Sequence, residues 1–389
     1  MTADRAPVVF AEVLVVSLPL LRPFVTSFGV TDTRQTVLVH LRDEDGHEGW
    51  GEAPALDHPY YLPDTTATTY LMACEFALPL ALAAPGLEPA VVADAMSRIR
   101  GNTFARAGVE EAFWSLQAAA EGTTLRALMG GERERVPVGE SLSIAETIDE
   151  TLEEVDLRLR EGYQRIKLKI RPGWDVEPVA AVREAFGTDV MLQVDANAAY
   201  SLHDVDALRR LDEYGLACIE QPLAWDALLE HAELQRSLST PVCLDETLRS
   251  FDDVQRALDI DACRNVNLKP GRVGGLTASL RIAELCRSRG VALWCGGMME
   301  SGIGRAGNLA LCSVPGFTEP ADMSPASVLF EWDLVDPTFE VGPDGTVAVP
   351  DAPGLGFPVR LDRVAAQTLR STLVRGTGGE SCPGPERRT

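Results

Sequence analysis

The chain has 389 residues, 46% of them hydrophobic, which is enough for one large domain and a smaller one, each with a core. Lysine and arginine total 35 against 58 acidic residues, a net charge of −23. That balance argues against nucleic acid and anionic membranes as partners, while a local cationic site for a small anionic substrate stays compatible with it.

The first residues, "MTADRAPVVFAEV", show no basic stretch followed by an apolar one, so no signal peptide is expected. Residues 8–52 read as strands, with "RDEDGHEG" as a hairpin turn between two alternating runs. Residues 66–130 are rich in alanine and leucine and read as helices, as in "GVEEAFWSLQAAAEG". The most apolar stretch, "FALPLALAAPGL", is too short and too proline-broken to span a bilayer. Eight cysteines, Cys74, Cys218, Cys243, Cys263, Cys286, Cys295, Cys312 and Cys382, form no CxxC, and most lie in apolar runs. They read as buried free thiols of a reducing compartment, so a cytoplasmic location is expected.

From Val136 the texture changes. Short apolar runs alternate with amphipathic stretches: "VPVGESLSI", "RIKLKI", "VMLQVDA", "ACIEQP", "PVCLDE", "RNVNLKP", "VALWCGGM" and "GFTEP". Strand–helix alternation implies parallel βα units, and eight strands suggest a closed barrel. The tail from Gly376 lacks apolar content and reads as disordered.

Five of these runs end in an ionisable residue: Lys169, Asp195, Glu220, Asp245 and Lys269, spaced 26, 25, 25 and 24 residues apart. One βα unit takes about that length. In a parallel barrel the strand ends converge on one mouth, where catalytic groups sit. Within "IKLKI", Ile166, Leu168 and Ile170 alternate with Lys167 and Lys169. The period of two sends both lysines to one face. For the strand alone a solvated lysine face is the rival; the pattern of strand ends points them into the mouth.

Three converging carboxylates repel unless a cation sits among them. All-oxygen ligation without His or Cys selects a hard divalent ion, Mg²⁺ first and Mn²⁺ second. Such an ion holds a substrate carboxylate and stabilises the enediolate formed when an α-proton leaves. A lysine base acts only when neutral, and a neighbouring cation, here Lys167, favours that form.

The segments "KLKIRPGWD" (167–175), "QVDANAAY" (193–200), "IEQPL" (219–223), "CLDET" (243–247), "NLKPGRVGG" (267–275) and "WCGGMMESGIGRA" (294–306) carry a resemblance. The chain resembles the muconate-cycloisomerase subgroup of the enolase superfamily, and within it the o-succinylbenzoate synthase/N-acylamino acid racemase family. A lysine base with Mg²⁺ is the pattern of enolase-type sites. The resemblance implies an α/β fold, a (β/α)7β TIM-like barrel with an α+β capping domain. Residues 1–130 would form the cap, 131–333 the barrel, 334–375 a segment returning to the cap, and 376–389 the disordered tail. A homo-oligomer acting on a small carboxylate is implied.

By position, Asp195, Glu220 and Asp245 match the metal ligands, Lys169 and Lys269 the acid/base pair, and Lys167 the residue that tunes Lys169. Asn197, Gln221 and Glu246 fall beside the ligands. The specificity loop corresponds to "RPFVTSFG", where Phe24 and Phe28 either touch substrate or pack within the cap. Ser141 and the Cys295–Ile303 segment, with Gly296, Gly297, Met298, Ser301 and Ile303, are expected to face the mouth, although core packing rivals that reading for Met298 and Met299. Arg272 either lowers the pKa of Lys269 or is an ordinary loop arginine. The five histidines read as surface or structural, and the seventh strand end carries none, which disfavours a histidine base. Glu140 departs from the apolar or small residue expected there, and so does "VLFEWDL" from the usual aromatic pattern.

Two reactions are implied. In dehydration Lys169 removes the proton α to the carboxylate of a cyclohexadiene and protonates the departing hydroxyl, with Lys269 as a cation. In racemisation Lys169 and Lys269 work on opposite faces of an N-acyl, especially N-succinyl, amino acid. A dipeptide epimerase or muconate cycloisomerase would share every catalytic residue. A non-catalytic scaffold would have lost at least one of the five strand-end residues, and all are present.

Overall fold

The computed structural model describes residues 6–26 and 29–375; the expectations for Phe28 and for the tail from Gly376 lie outside it. Strand β1 (Val8–Thr26) pairs antiparallel with β2 (Gly29–Asp43), and β2 with β3 (Glu48–Ala53). The turn between β2 and β3 is held by the Asp43 carboxylate, which accepts a hydrogen bond from the His47 amide at 2.8 Å. A strand far along the chain, β13 (Thr368–Leu373), adds to the free edge of β1. The helix Thr103–Ala120 lies across this sheet so closely that a Cβ on Gly51 would stand 2.1 Å from the Gly108 carbonyl oxygen. Only glycine permits that contact, which seals Val37, Val39, Phe104, Val109 and Phe113 into one core.

The second unit is the barrel. β4 (Arg135–Leu142), β5 (Arg165–Lys169), β6 (Met191–Asp195), β7 (Ile219–Glu220), β8 (Val242–Leu244), β9 (Asn265–Leu268) and β10 (Ala292–Cys295) pair parallel in chain order. β11 (Ala321–Asp322) pairs with the far side of β4. A short strand, β12 (Thr346–Ala348), lies antiparallel along the start of β4. Helices such as Ile148–Arg160, Val176–Phe186 and Leu276–Arg289 fill the crossovers. The sequence put the eighth strand at Gly316–Pro320, but it lies just past that stretch, at Ala321–Asp322. Within the stretch the Thr318 and Glu319 amides both bond the single Leu293 carbonyl, at 2.9 and 3.2 Å, which joins β10 to the approach of β11 without a regular ladder.

Alternation does the sorting expected of a barrel. Ile166, Leu168, Leu192, Val194, Ile219, Val242, Leu244, Val266 and Leu268 pack under the helices. Cys218, Cys243 and Trp294 cluster inside the barrel. The seven described cysteines are free, six of them buried. Of the histidines, His40 is stacked on Trp50 with centroids 3.9 Å apart, and His231 is buried in the helix layer.

Two buried glutamates of the cap dock it on the barrel. Glu52 accepts from the Ser301 amide, the Ser301 hydroxyl and the Gly304 amide at the start of the helix Gly302–Cys312. Glu110 accepts from the Thr277 amide at 2.9 Å, at the start of Leu276–Arg289, whose own N-cap, Gly275, has no side chain to offer. Both carboxylates thus serve exposed helix N–H groups and the positive helix end.

Candidate active site

Register fixes what faces the mouth. Ser141, Lys167 and Gln193 stand level across β4, β5 and β6, and Lys169 stands level with Asp195. Lys169 Nζ donates to Asp195 Oδ2 at 2.6 Å and to Asn197 Oδ1 at 2.9 Å. Lys167 Nζ donates to Glu220 Oε2 at 3.0 Å and to Asp322 Oδ2 at 2.7 Å, and lies 3.8 Å from the same Asp195 oxygen. Across the mouth, Lys269 Nζ donates to Asp245 Oδ2 at 2.8 Å. Asp195, Glu220 and Asp245 are each no more than 1% exposed.

The electrostatics follow from burial. Burial alone would raise Asp195, but the Lys169 and Lys167 ammoniums outweigh it and hold the carboxyl below its usual range. For Lys167 burial works against the charge, yet Asp322, Glu220 and Asp195 prevail and push it above the ordinary lysine value. Lys269 is raised in the same way, by Tyr61, Glu220, Glu246 and Asp195 against burial. Glu246 is raised as well, toward its neutral form: burial first, then Asp195, push it up to about 7, and its Oε2 is buried without a partner.

Four fixed neighbours support the carboxylates. Gln193 and Asn267 donate to the two oxygens of Glu220, at 2.9 and 2.7 Å. Gln221, in a left-handed conformation at φ 37°, accepts from the Asp245 amide at 3.0 Å and so sets the end of β8. Arg272 is fully buried; it pairs with Asp245 Oδ1 and donates through Nε to the Leu248 carbonyl at 2.6 Å. It is no surface arginine, and burial lowers its pKa.

A cavity of about 110 Å³ opens over these groups, lined by Lys167, Lys169 and Lys269 together with Phe24, Ser141, Gly297 and Met298. Phe24 arrives there from the tip of the β1–β2 hairpin, opposite Thr31. The Ser141 hydroxyl is buried without a partner. Gly296 lies beneath, where a Cβ would come within 2.6 Å of Lys269 Cε, so glycine leaves room for the lysine stem. Glu140, at the edge, accepts from Ser324 at 2.6 Å, and burial raises it.

Two expected substrate contacts stand elsewhere. Ser301 caps the helix Gly302–Cys312 and bonds Glu52, and Ile303 packs with Leu14, Val16, Leu38 and Trp50 between cap and barrel. After Met299, at φ 54°, the chain turns into that helix and leaves the mouth. Conversely, sequence reasoning missed Tyr61 and Asp322. Tyr61 reaches in from the cap, donating to Asp245 Oδ1 at 2.7 Å with its ring under Lys269 Nζ at 4.7 Å. It also missed Gln193 and Asn267, although each sits two residues before a strand-end group, where the period of two aims it inward.

Asp195, Glu220, Asp245 and Glu246, all buried and with one orphaned oxygen on Glu246, form an all-oxygen donor set, which fits a hard divalent ion. Asp195, Glu220 and Asp245 do not converge here, since each is turned to a cation. Among the described residues, the trio whose ligand atoms all lie within 4.8 Å of one another is Asp43, Asp45 and His47, in the β2–β3 turn. No described helix is long and apolar enough to cross a membrane.

A capped parallel barrel with lysines either side of a carboxylate row at its C-terminal mouth is the layout of a barrel enzyme. Residues 10–130 match the N-terminal domain of the mandelate racemase/muconate lactonizing enzyme family, and residues 150–363 match the enolase C-terminal domain-like family. The chain belongs to the enolase superfamily, in the family of o-succinylbenzoate synthases and N-succinylamino acid racemases. It is 44% identical to an o-succinylbenzoate synthase of Geobacillus kaustophilus over 92% of this chain and 96% of that one. It is 46% identical to an N-succinylamino acid racemase of Thermus thermophilus, again over 92% and 96%. A solved enolase-superfamily structure from Listeria innocua superposes with a TM-score of 0.92 at 37% identity, over 95% of this chain and 99% of that one.

Proposed function

We propose that the chain is a Mg²⁺- or Mn²⁺-dependent enzyme that removes the proton α to a small substrate's carboxylate, as an o-succinylbenzoate synthase, an N-succinylamino acid racemase, or both. The observation that carries this is the order of groups around the mouth: Lys169 on β5, Asp195 on β6, Glu220 on β7, Asp245 just after β8, and Lys269 just after β9. A carbon held between the lysines presents one face to each.

Asp195, Glu220 and Asp245 would hold the divalent ion, with Glu246 beside them. When bound, the ion would supply positive charge to the substrate carboxylate. Lys169 then accepts the α-proton. In dehydration it returns that proton to the departing hydroxyl, while Lys269 stays a cation. In racemisation Lys269 delivers a proton to the opposite face. Lys167, held charged by Glu220 and Asp322, is the cation that stands beside Lys169. Tyr61 and Arg272 fix Asp245 and crowd Lys269. Ser141 offers its free hydroxyl to the remote part of the substrate, and Phe24 and Met298 cover it. A cytoplasmic site of action agrees with the free thiols.

The test is one preparation assayed for both o-succinylbenzoate formation and N-succinyl amino acid racemisation, with Mg²⁺ and with Mn²⁺. Activity in either assay is expected. Failure of both, with metal-loaded folded protein, overturns the reading.

A further inference from the structure

A second cavity, about 510 Å³, opens between cap and barrel, one residue on from the active-site Tyr61. Leu62 and Asp64 form one wall, Asn102 and Arg106 another, and Arg249 and Ser250 the third. It shares no lining residue with the catalytic mouth.

Two guanidiniums line it, and both have spare donors. Arg106 Nε and Arg249 Nε are buried without a hydrogen-bond partner. Arg249 is held by stacking on the Trp225 ring at 4.6 Å rather than by a carboxylate. Arg106 lies against Gly274, where a Cβ would meet its Nη2 at 3.2 Å. A guanidinium that lines a cavity without a carboxylate partner favours an acceptor that reaches its fork.

The rest of the lining agrees. The 18-residue helix Thr103–Ala120 starts here, and its N-cap, Asn102 at φ 49°, makes no side-chain cap. Its first-turn amides and positive end therefore add to the guanidinium donors. Of the two acids, Asp253 is occupied by the Ser250 hydroxyl at 2.9 Å and the Arg249 amide at 3.2 Å. Asp64 is raised by burial, and its Oδ1 is buried without a partner.

We propose that this cavity is an oxyanion site that takes a phosphate group, free or carried on a small ester, between Arg106 and Arg249. Planar forked donors from two sides plus helix amides match a tetrahedral anion better than a point charge does. Occupancy reaches the catalytic mouth along two short paths. One is the Leu62–Tyr61 step to Asp245 and Lys269. The other runs from Arg106 across Gly274 to the Pro270–Val273 turn that bears Arg272. The site is therefore an effector site, not a second active site.

The experiment is calorimetric titration of Mg²⁺-loaded full-length protein with inorganic phosphate at constant ionic strength, repeated with glycerol phosphate. One saturable site is expected. Arg106→Gln and Arg249→Gln should each weaken it at least tenfold, and Arg106→Lys less, with activity in phosphate-free buffer unchanged. Phosphate should shift the substrate KM of the wild type and leave that of the Arg106→Gln/Arg249→Gln double variant in place. Tighter binding of the ester identifies an organic phosphate as occupant; equal binding identifies the free anion. No saturable binding, or equal binding in wild type and the glutamine variants, overturns the proposal. Binding without a KM shift overturns the effector role.

Discussion

Lys167 carries its charge between Glu220 and Asp322, with the Trp294 ring 4.6 Å from its nitrogen. Its removal is informative because the neighbours keep other partners: Glu220 retains Gln193 and Asn267, and Asp322 retains Arg165. In Lys167→Met the cation beside Lys169 is gone, and protonation of Lys169 becomes easier. The acidic limb of kcat/KM should move to higher pH, by an amount of order one unit, or about 1.4 kcal/mol. An unmoved limb and unchanged rate would show that the two lysines do not share a site. A second substitution separates the reactions. Arginine at 269 stays protonated, so Lys269→Arg should lose racemisation at least about a hundredfold while keeping measurable dehydration. Equal racemase rates in variant and wild type would contradict the two-base scheme. At this scale the sequence was readable where strand periodicity aims a side chain, which is why Lys167, Lys169, Asp195, Glu220, Asp245 and Lys269 could be placed from spacing. It was unreadable where a group reaches in from another element. Tyr61 sits in a cap loop with no periodicity, and Asp322 ends a two-residue strand. Ser301 and Ile303 were misplaced because the strand-end segment turns into a helix after Met299.

The helices Gly302–Cys312 and Leu276–Arg289 both begin under a glutamate from the other unit, an arrangement no local sequence signal announces. In "GVEEAF" the acids look like the solvated face of a helix, yet Glu110 and Glu111 are buried. The consequence is a pH-dependent docking. Burial pushes Glu110 from 4.5 up to about 7, and Glu52 likewise to about 7. A carboxyl whose folded value is raised binds its proton more tightly in the native state. Its contribution to stability is therefore fully present below about 4.5, the unfolded value, and is lost as pH rises through about 7. For one such group the loss approaches about 3 kcal/mol. Glu110→Gln cannot ionise, and it keeps an acceptor for the Thr277 amide. Relative to wild type its melting temperature should climb between pH 4.5 and 7.5 and then level off. Parallel melting curves across that window would mean that Glu110 titrates normally and that the docking carries no such dependence.

For the molecule as a whole, the fold class was legible because strand–helix alternation persists through the whole barrel segment. The return of β13 to β1 came only through the family resemblance, which implied that 334–375 rejoins the cap, since pairing across about 350 residues leaves no trace in local pattern. That return matters for the metal. The cap is pinned to the barrel by its sheet and helix contacts, and Tyr61 of the cap bonds Asp245, one of the three carboxylates proposed to hold the ion. A divalent cation at the mouth therefore binds a surface that exists only when cap and barrel are docked. A ligand that binds the native state alone stabilises it by mass action, by about 2.7 kcal/mol at a hundred times its Kd. Mg²⁺ or Mn²⁺ should raise the melting temperature of wild type in a saturable way. Asp195→Asn, Glu220→Gln and Asp245→Asn should each reduce that rise, because each removes one anionic oxygen donor from the set. Excess chelator should abolish turnover, and added Mg²⁺ or Mn²⁺ should restore it. Nonspecific screening of the −23 charge would also stabilise the chain. The control is NaCl at matched ionic strength, which should reproduce little of the shift, while the three variants should retain whatever part it does reproduce. Full turnover in protein confirmed to be metal-free, or a Mg²⁺-dependent melting shift identical in wild type and all three variants, would remove the metal from this mouth.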